Sequence, residues 1–490
     1  MNRLSRVEFD TKTLSLLLLI VVITIGGSLF IVKASTNIAF IAVMAFVVAV
    51  VSFVNTEIGL YILIVSMLLG PQFIVGGPTP LPGRGRPFTL RVDDLLLVII
   101  GLSWFLRSAV SKELGLFTRT PLNAPIVYYF AACLISTLLG YMMGTVQGLT
   151  GFFFVLKYFE YFIIYFIAVN HLKEKKQIER FVFTMLLVCL AVCIFAISQI
   201  PAGERVSAPF EGEGGEPNTL GGYLVLMLSI AIGLLLSYGS KKQKGFFVIL
   251  SFFIAVSLAA TLSRASWIAL IPMTLTFLYF HKKKLPIILA LLLIITATPF
   301  ILPKSVIQRV TFTFEQPKQR GQITIGGTRL DTSTSDRFKV WRNILTRDFA
   351  SNPLLGRGIT GYGFVDSQYP RVLVETGIIG LATFLFLLIT IYRNALYAYR
   401  ISSDPLLSGV SLGYLAAFIA MVTHGIGTNT FIIVRIMEPF WFLTAMIIMI
   451  PRIESGHVGT EPQEISAAKH ANASVRHEAI SQIKNANLNH

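Results

Sequence analysis

The chain has 490 residues, of which 54% are hydrophobic and only 13% charged, with a mean hydropathy of +0.71. A soluble domain carries about 25% charged residues, so this composition excludes a soluble fold and makes lipid the solvent. The net charge of +16 would point to nucleic acid in a soluble protein. In a membrane protein such basic residues hold loops at the anionic cytoplasmic face, and no basic stretch here interleaves with aromatics on a soluble module. Nucleic acid is therefore not an expected partner.

A bilayer core of about 30 Å needs about 20 apolar residues per helix. Apolar runs at 13–33, 36–54, 57–72, 94–107, 124–143, 152–170, 180–199, 219–238, 245–262, 265–280, 285–302, 372–392, 406–424 and 431–451 read as spans. They predict an all-α polytopic membrane protein with about 12–14 transmembrane helices. The first run lacks a small-residue cleavage site and reads as a retained helix rather than a signal peptide. Only Asn55, Thr56 and Glu57 separate the second and third runs. Cys133, Cys189 and Cys193 all fall in apolar runs without metal-ligand spacing, as buried structural thiols do.

Orientation follows from the short connectors. Lys173, Lys175, Lys176 and Arg180 share one, Lys241, Lys242 and Lys244 a second, and Lys282, Lys283 and Lys284 a third. Each is expected in the cytoplasm. The stretch 245–280 is basic at both ends, so it reads as an out-and-back hairpin whose turn, Leu262-Ser263-Arg264-Ala265-Ser266, lies outside. The same reasoning puts 200–218 and 303–371 outside and both termini inside, in a plasma membrane. The expected organisation is an N-terminal bundle over 1–302, a large external loop over 303–371, C-terminal helices over 372–451 and a disordered cytoplasmic tail over 452–490.

Loops as long as 303–371 usually carry function. This one holds eleven Lys or Arg against five Asp or Glu, a surface suited to an anionic ligand or to lipid headgroups. Asp336 can cap a helix running to about Phe349, with Phe338, Trp341, Leu345 and Phe349 as its apolar stripe. Asn352-Pro353 stops it.

Charges inside spans are expensive and start as functional candidates. Lys157 and Glu160, and likewise Arg435 and Glu438, are three residues apart, so each pair can neutralise itself on one helix face. Asp93 and Asp94 open a span and read as helix-capping residues, with metal binding the lesser alternative. At the outer face Arg205 sits in a loop with Glu204, Glu211, Glu213 and Glu216. Arg264 marks the hairpin turn, and Arg337, Asp366 and Tyr369 belong to the long loop. His424 ends the next-to-last span. Arginines from separate loops on one face suit phosphate oxygens, which guanidinium groups bind bidentately without a metal. There is no Walker loop, dinucleotide fingerprint, HExxH or GxSxG.

Four segments in order resemble the O-antigen ligase and Wzy-type polysaccharide polymerase superfamily. They are Arg205-Val206-Ser207-Ala208-Pro209-Phe210 leading to Pro217-Asn218-Thr219-Leu220-Gly221-Gly222, then Leu262-Ser263-Arg264-Ala265-Ser266-Trp267. Next come Asp336-Arg337-Phe338-Lys339-Val340-Trp341 with Asn352-Pro353-Leu354-Leu355-Gly356-Arg357-Gly358. Last is Val365-Asp366-Ser367-Gln368-Tyr369 running into Val374-Glu375-Thr376-Gly377-Ile378-Ile379-Gly380. The resemblance covers roughly 200–385. It implies a GT-C-like glycosyltransferase that needs no metal or cofactor and uses a glycan on polyprenyl pyrophosphate at the outer face. By that resemblance Arg205 and Arg264 hold the pyrophosphate, Arg337 supports them, and Tyr369 lines the glycan site. A chain-length regulator and a flippase are the implied partners. Where the ligases place a histidine before the Glu-x-Gly-Ile-Ile-Gly run, this chain has Asp366. That makes Asp366 the candidate base, with His424 as its rival, and favours a polymerase over a ligase. A transporter or flippase for the same lipid-linked oligosaccharides is the alternative of another class. A transporter is expected to carry broken or charged helices at the midplane, whereas the polar residues here gather at one face.

Overall fold

A computed structural model describes residues 36–74, 89–111, 118–146, 148–203, 205–211, 215–282, 304–319, 321–325 and 328–456, with isolated positions between 284 and 296. The expected span 13–33, most of 285–302 and the tail beyond 456 lie outside the described residues.

The apolar runs form helices. In chain order they are α1 (Thr36–Val54), α2 (Thr56–Leu69), α3 (Val92–Ser111), α4 (Asn123–Met142), α5 (Thr150–His171), α6 (Lys175–Gln199), α7 (Pro217–Ser237), α8 (Lys241–Ala260) and α9 (Arg264–Phe280). After them come α10 (Lys304–Glu315), α11 (Thr332–Asn343), α12 (Gln368–Ile401), α13 (Pro405–Gly427) and α14 (Val434–Glu454). Two small antiparallel hairpins interrupt them. One pairs β1 (Gln72–Ile74) with β2 (Thr89–Arg91), the other β3 (Thr324–Ile325) with β4 (Thr328–Arg329). Among the described residues eight helices, α4–α8 and α12–α14, are long and apolar enough to cross a membrane. The chain is an all-α polytopic membrane protein.

The expected break at Asn55 is real: its side chain accepts a hydrogen bond from the Glu57 amide and caps α2. The expected span 57–72 is shorter than foreseen. Helix α2 ends at Leu69 and the chain turns into β1; at 1.5 Å per residue its 14 residues cover about 21 Å, short of the hydrocarbon core.

Helices α7, α13 and α14 are apolar on nearly every side and form the centre, as the burial of Leu224, Leu226, Tyr414, Ala416, Phe440 and Phe442 shows. Small residues let α7 and α13 approach closely. A Cβ on Gly233 would stand 2.4 Å from the Gly409 carbonyl oxygen and 2.6 Å from the Gly413 backbone. In lipid, where apolar burial gives no net drive between helices, this close backbone packing supplies much of the association energy.

Helix α12 is broken at Gly377, whose φ of 66° and ψ of −166° are open only to glycine. The segment 353–358 docks into the break. The Ile378 amide donates to the Pro353 carbonyl, and Gly358 donates to the Glu375 carbonyl at 2.8 Å. Two stretches distant in sequence, Asn352–Gly358 and Glu375–Gly380, are thus one backbone-paired unit.

The amphipathic helix of the loop differs from expectation in its start and its face. It is capped by Asp331, which accepts from the Thr334 amide, and not by Asp336. The polar run Thr332–Ser335 enters the helix because Ser335 is buried against the loop, donating to Leu330 O and accepting from the Ile323 amide. Through a π-helical turn at Ile344–Asp348 the helix continues to Ser351 and stops at Asn352, as foreseen. Ile344, packed with Val340, Val365 and Val374, forms the inward face, while Phe338 and Leu345 stay exposed.

Candidate active site

Contacts gather the expected outer-face residues at one end of the bundle. Helix α6 fixes the direction. Gln199 at its C-terminus exchanges hydrogen bonds with the Ser207 backbone beside Arg205. Lys175 at its N-terminus pairs with Asp404. The 25 residues between them separate the two ends by about 37 Å.

Arg205 is held by the hairpin turn between α8 and α9. Its Nε donates to Thr261 O at 3.0 Å, and an Nη donates to Leu262 O at 3.4 Å and to Asn218 Oδ1 at 3.5 Å. Leu262 adopts a φ of 53°, a strained value for a branched residue. Such strain persists only where surrounding contacts enforce it, and here it turns the carbonyl toward Arg205. One residue on, Ser263 opens α9 and Arg264 follows, its Nη donating to Asp331 Oδ2 at 2.8 Å. Arg337 Nη2 donates to Asp366 Oδ2 at 2.7 Å, with 27% and 28% of the two side chains exposed.

A fourth guanidinium joins them. Arg309, on α10, is depressed below the usual arginine range by burial and by the charges of Arg264 and Arg337, against the pull of Asp331. Arg205 is pushed down to about 10 by burial and by Arg309 and Arg264. Burial raises the Asp331 carboxyl, but hydrogen bonds from Arg264 and Thr334 outweigh it and hold the group below its ordinary value. Arg309 is thus within electrostatic reach of Arg205, Arg264 and Arg337, with Asp331 paired to Arg264 and Asp366 to Arg337. Sequence reading counted Arg309 only as one of the loop's charges. Nothing in its local pattern singles it out, because its neighbours come from α9 and α11.

The other candidates are less open. His424 is fully buried. Its Nε2 lies 3.0 Å from Ser266 Oγ, and its Nδ1 lies 2.8 Å from Thr430 Oγ1 and 3.0 Å from Thr428 Oγ1. Ser266 Oγ donates to Ser263 Oγ, which donates to Asn218 Oδ1 at 2.9 Å. With the Ser266 proton so committed, Nε2 must carry the imidazole hydrogen and Nδ1 must accept. The chain His424, Ser266, Ser263, Asn218 ends at Arg205. Tyr369 directs its hydroxyl to the Val422 carbonyl at 2.5 Å and packs against Phe384. Glu375 accepts from Arg371 Nε at 3.1 Å and from the Thr360 amide at 3.1 Å, anchoring the loop that docks at Gly377.

The membrane charges foreseen as pairs are arranged partly otherwise. Lys157 and Glu160 do pair, at 3.1 Å, and Lys157 also reaches Asp94. Arg435 turns instead to Glu211 at 3.8 Å and to the carbonyls of Pro209, Leu68 and Gly70, because the loop 209–211 and the end of α2 offer it acceptors. Glu438 faces Arg91 at 3.9 Å.

The architecture and this end together define a polytopic membrane protein with arginines gathered where the large polar loop meets the helices. Residues 246–385 match the family model described as O-Antigen ligase (Wzy_C), so that part of the chain is similar to the domain of that family. No curated protein matches the chain. The match supports an O-antigen ligase or polymerase type of function in general. Arg264, Arg309, Arg337, Asp366 and Tyr369 fall within the matched segment, Arg205 and His424 outside it.

Proposed function

We propose that this chain is a polysaccharide polymerase, joining oligosaccharide repeat units carried on polyprenyl pyrophosphate at the outer face of the plasma membrane. The observation that carries this reading is the gathering of Arg205, Arg264 and Arg337 about Arg309, from four separate elements, with Asp366 paired to Arg337. In the reaction an acceptor sugar hydroxyl attacks the anomeric carbon of the donor. The bond from that carbon to the pyrophosphate oxygen breaks, and polyprenyl pyrophosphate leaves. Negative charge grows on the leaving oxygens, where fixed guanidiniums stabilise it without reorganising. Four cations at one place supply the charge neutralisation, and on that ground we propose metal-independent transfer.

Asp366 is the proposed base, taking the acceptor hydroxyl's proton. Its partner Arg337 links the two halves of the site. When a pyrophosphate draws Arg337 toward the other arginines, Asp366 loses its ion pair and becomes available to the acceptor. His424, wholly enclosed, is proposed to set the orientation of Arg205 through Ser266, Ser263 and Asn218 rather than to touch substrate. Tyr369, bonded to α13, is proposed to line the glycan side of the site. In this reading the basic connectors around Lys175, Lys241 and Lys282 face the cytoplasm with both termini, and the 303–371 loop faces outward. Transfer of the glycan to a different acceptor, a ligase activity, is the second reading, favoured by the description of the matching family.

The test is a polymerisation assay in nanodiscs, with the host's lipid-linked repeat unit, without nucleotide, with and without chelator, beside Arg264→Ala. A product ladder from the wild type that is absent from the variant supports the polymerase. A single transfer to an added acceptor, with no ladder, supports the ligase. Lipid flipping with no new glycosidic bond would sink both.

A further inference from the structure

A second charged cluster lies between β2, α3, α5 and α14. Arg91 ends β2, Asp93 and Asp94 open α3, Lys157 and Glu160 sit on α5, and Glu438 sits one turn into α14. Asp93 and Glu438 are fully buried. Arg91 Nη2 lies 2.9 Å from Asp93 Oδ2 and 3.9 Å from Glu438 Oε2. Lys157 pairs with Asp94 Oδ2 and with Glu160 Oε2. Each cation thus engages one oxygen of each carboxylate. The remaining oxygens, Asp93 Oδ1, Asp94 Oδ1, Glu160 Oε1 and Glu438 Oε1, are buried without a hydrogen bond.

Four carboxylates against Arg91 and Lys157 leave two negative charges, and the neighbouring Arg435 is already matched by Glu211. Asp93 meets Glu438, and Asp94 meets Glu160, carboxyl to carboxyl. Two ionised acceptors repel at that range unless a proton or a metal ion lies between them. An uncompensated double charge would not persist in a low-dielectric interior.

Oxygens of Asp93, Glu160 and Glu438 lie within 4.8 Å of one another. Ligands on opposite sides of a calcium ion, each at about 2.4 Å, stand about 4.8 Å apart. The donors are all carboxylate oxygens, with no sulfur or imidazole, which selects a hard ion over zinc or copper. Calcium tolerates an irregular shell, whereas magnesium demands near-octahedral geometry and retains waters. We propose that Asp93, Glu160 and Glu438 hold one calcium-class divalent cation, which fastens α3, α5 and α14 together. Two shared protons would also cancel the charge, but they would act within the pairs Asp93–Glu438 and Asp94–Glu160. The convergence of Asp93, Glu160 and Glu438, drawn from both pairs, is what a single ion accounts for.

The test of this site reads metal content and stability and no transfer activity. The full chain, purified into nanodiscs without chelator, is analysed for bound metal. Its thermal midpoint is followed after EDTA and after calcium or magnesium chloride is restored. Stoichiometric calcium, a midpoint lowered by EDTA and recovery with calcium are expected. Glu438→Gln and Asp93→Asn should lose both the metal and the response to calcium. Should either variant fail to fold, the wild-type metal content and its reversal by EDTA still decide. A wild type without bound divalent metal, whose midpoint ignores EDTA and added calcium alike, overturns the proposal and leaves shared protons as the source of neutrality.

Discussion

The two charged clusters solve opposite problems. The arginines gathered about Arg309 are partly open, with 17% of the Arg264 side chain and 27% of Arg337 exposed, and cations there outnumber the carboxylates paired to them. The cluster between α3, α5 and α14 is closed, with Asp93 and Glu438 fully buried, and carboxylates there outnumber cations. Charge left over at an open site can wait for a ligand, because water screens it until the ligand arrives. Charge left over in a closed site must be neutralised permanently. In the readings proposed above, an excess of charge serves binding in one place and structural fastening in the other.

Variants can break that contrast. The largest expected effect is on stability. Lys157→Ala would leave Asp94 and Glu160 without their cation, a loss of about 3–5 kcal/mol for a broken buried pair, read as a lowered thermal midpoint. Transfer per folded molecule should persist, and a variant that kept its midpoint but lost transfer would merge the two clusters into one function. Arg264→Ala should do the reverse, cutting transfer on the order of 10²–10³-fold while the midpoint holds. Asp366→Asn should lower kcat by about 10² and leave KM unchanged or lower, since Arg337 is then released to the pyrophosphate. A rise in KM alone would assign Asp366 to binding instead.

Smaller effects sharpen the open site. Arg309→Gln should raise KM for the lipid-linked donor about tenfold, the worth of one charge-assisted contact. An unchanged KM would remove α10 from the site. Arg205 sets a pH limit. Its folded value, about 10, lies below the ordinary arginine range, so the fold disfavours its charged form. Between those values rising pH favours the folded state through this group. Anion binding needs the charged form and should therefore stay level through neutral pH and weaken as pH climbs through about 10. Calorimetric titration of inorganic pyrophosphate near pH 8 and at about pH 10.5 would show it. Equal affinity at both would take Arg205 out of the anion site.

Much of this molecule was written in local pattern. Runs of apolar residues specify helices because a span in lipid must satisfy its backbone internally. The helix stop at Asn352-Pro353 and the cap at Asn55 follow from the chemistry of single residues. Arg205, Arg264 and Arg337 stand out in sequence because they fall in three separate connectors between apolar runs. What sequence could not decide was partnership. The α11 cap moved to Asp331 because Ser335 found partners across the loop, at Leu330 and Ile323. Arg435 left Glu438 for carbonyls at the end of α2 and in a loop far away in the chain. Arg309 entered the arginine cluster, and Glu438 met Asp93, only through the packing of distant helices. Periodicity and capping act within a few residues and are legible in order along the chain. Charge pairing acts over a few ångströms in space, and only the tertiary structure decides which residues share those ångströms.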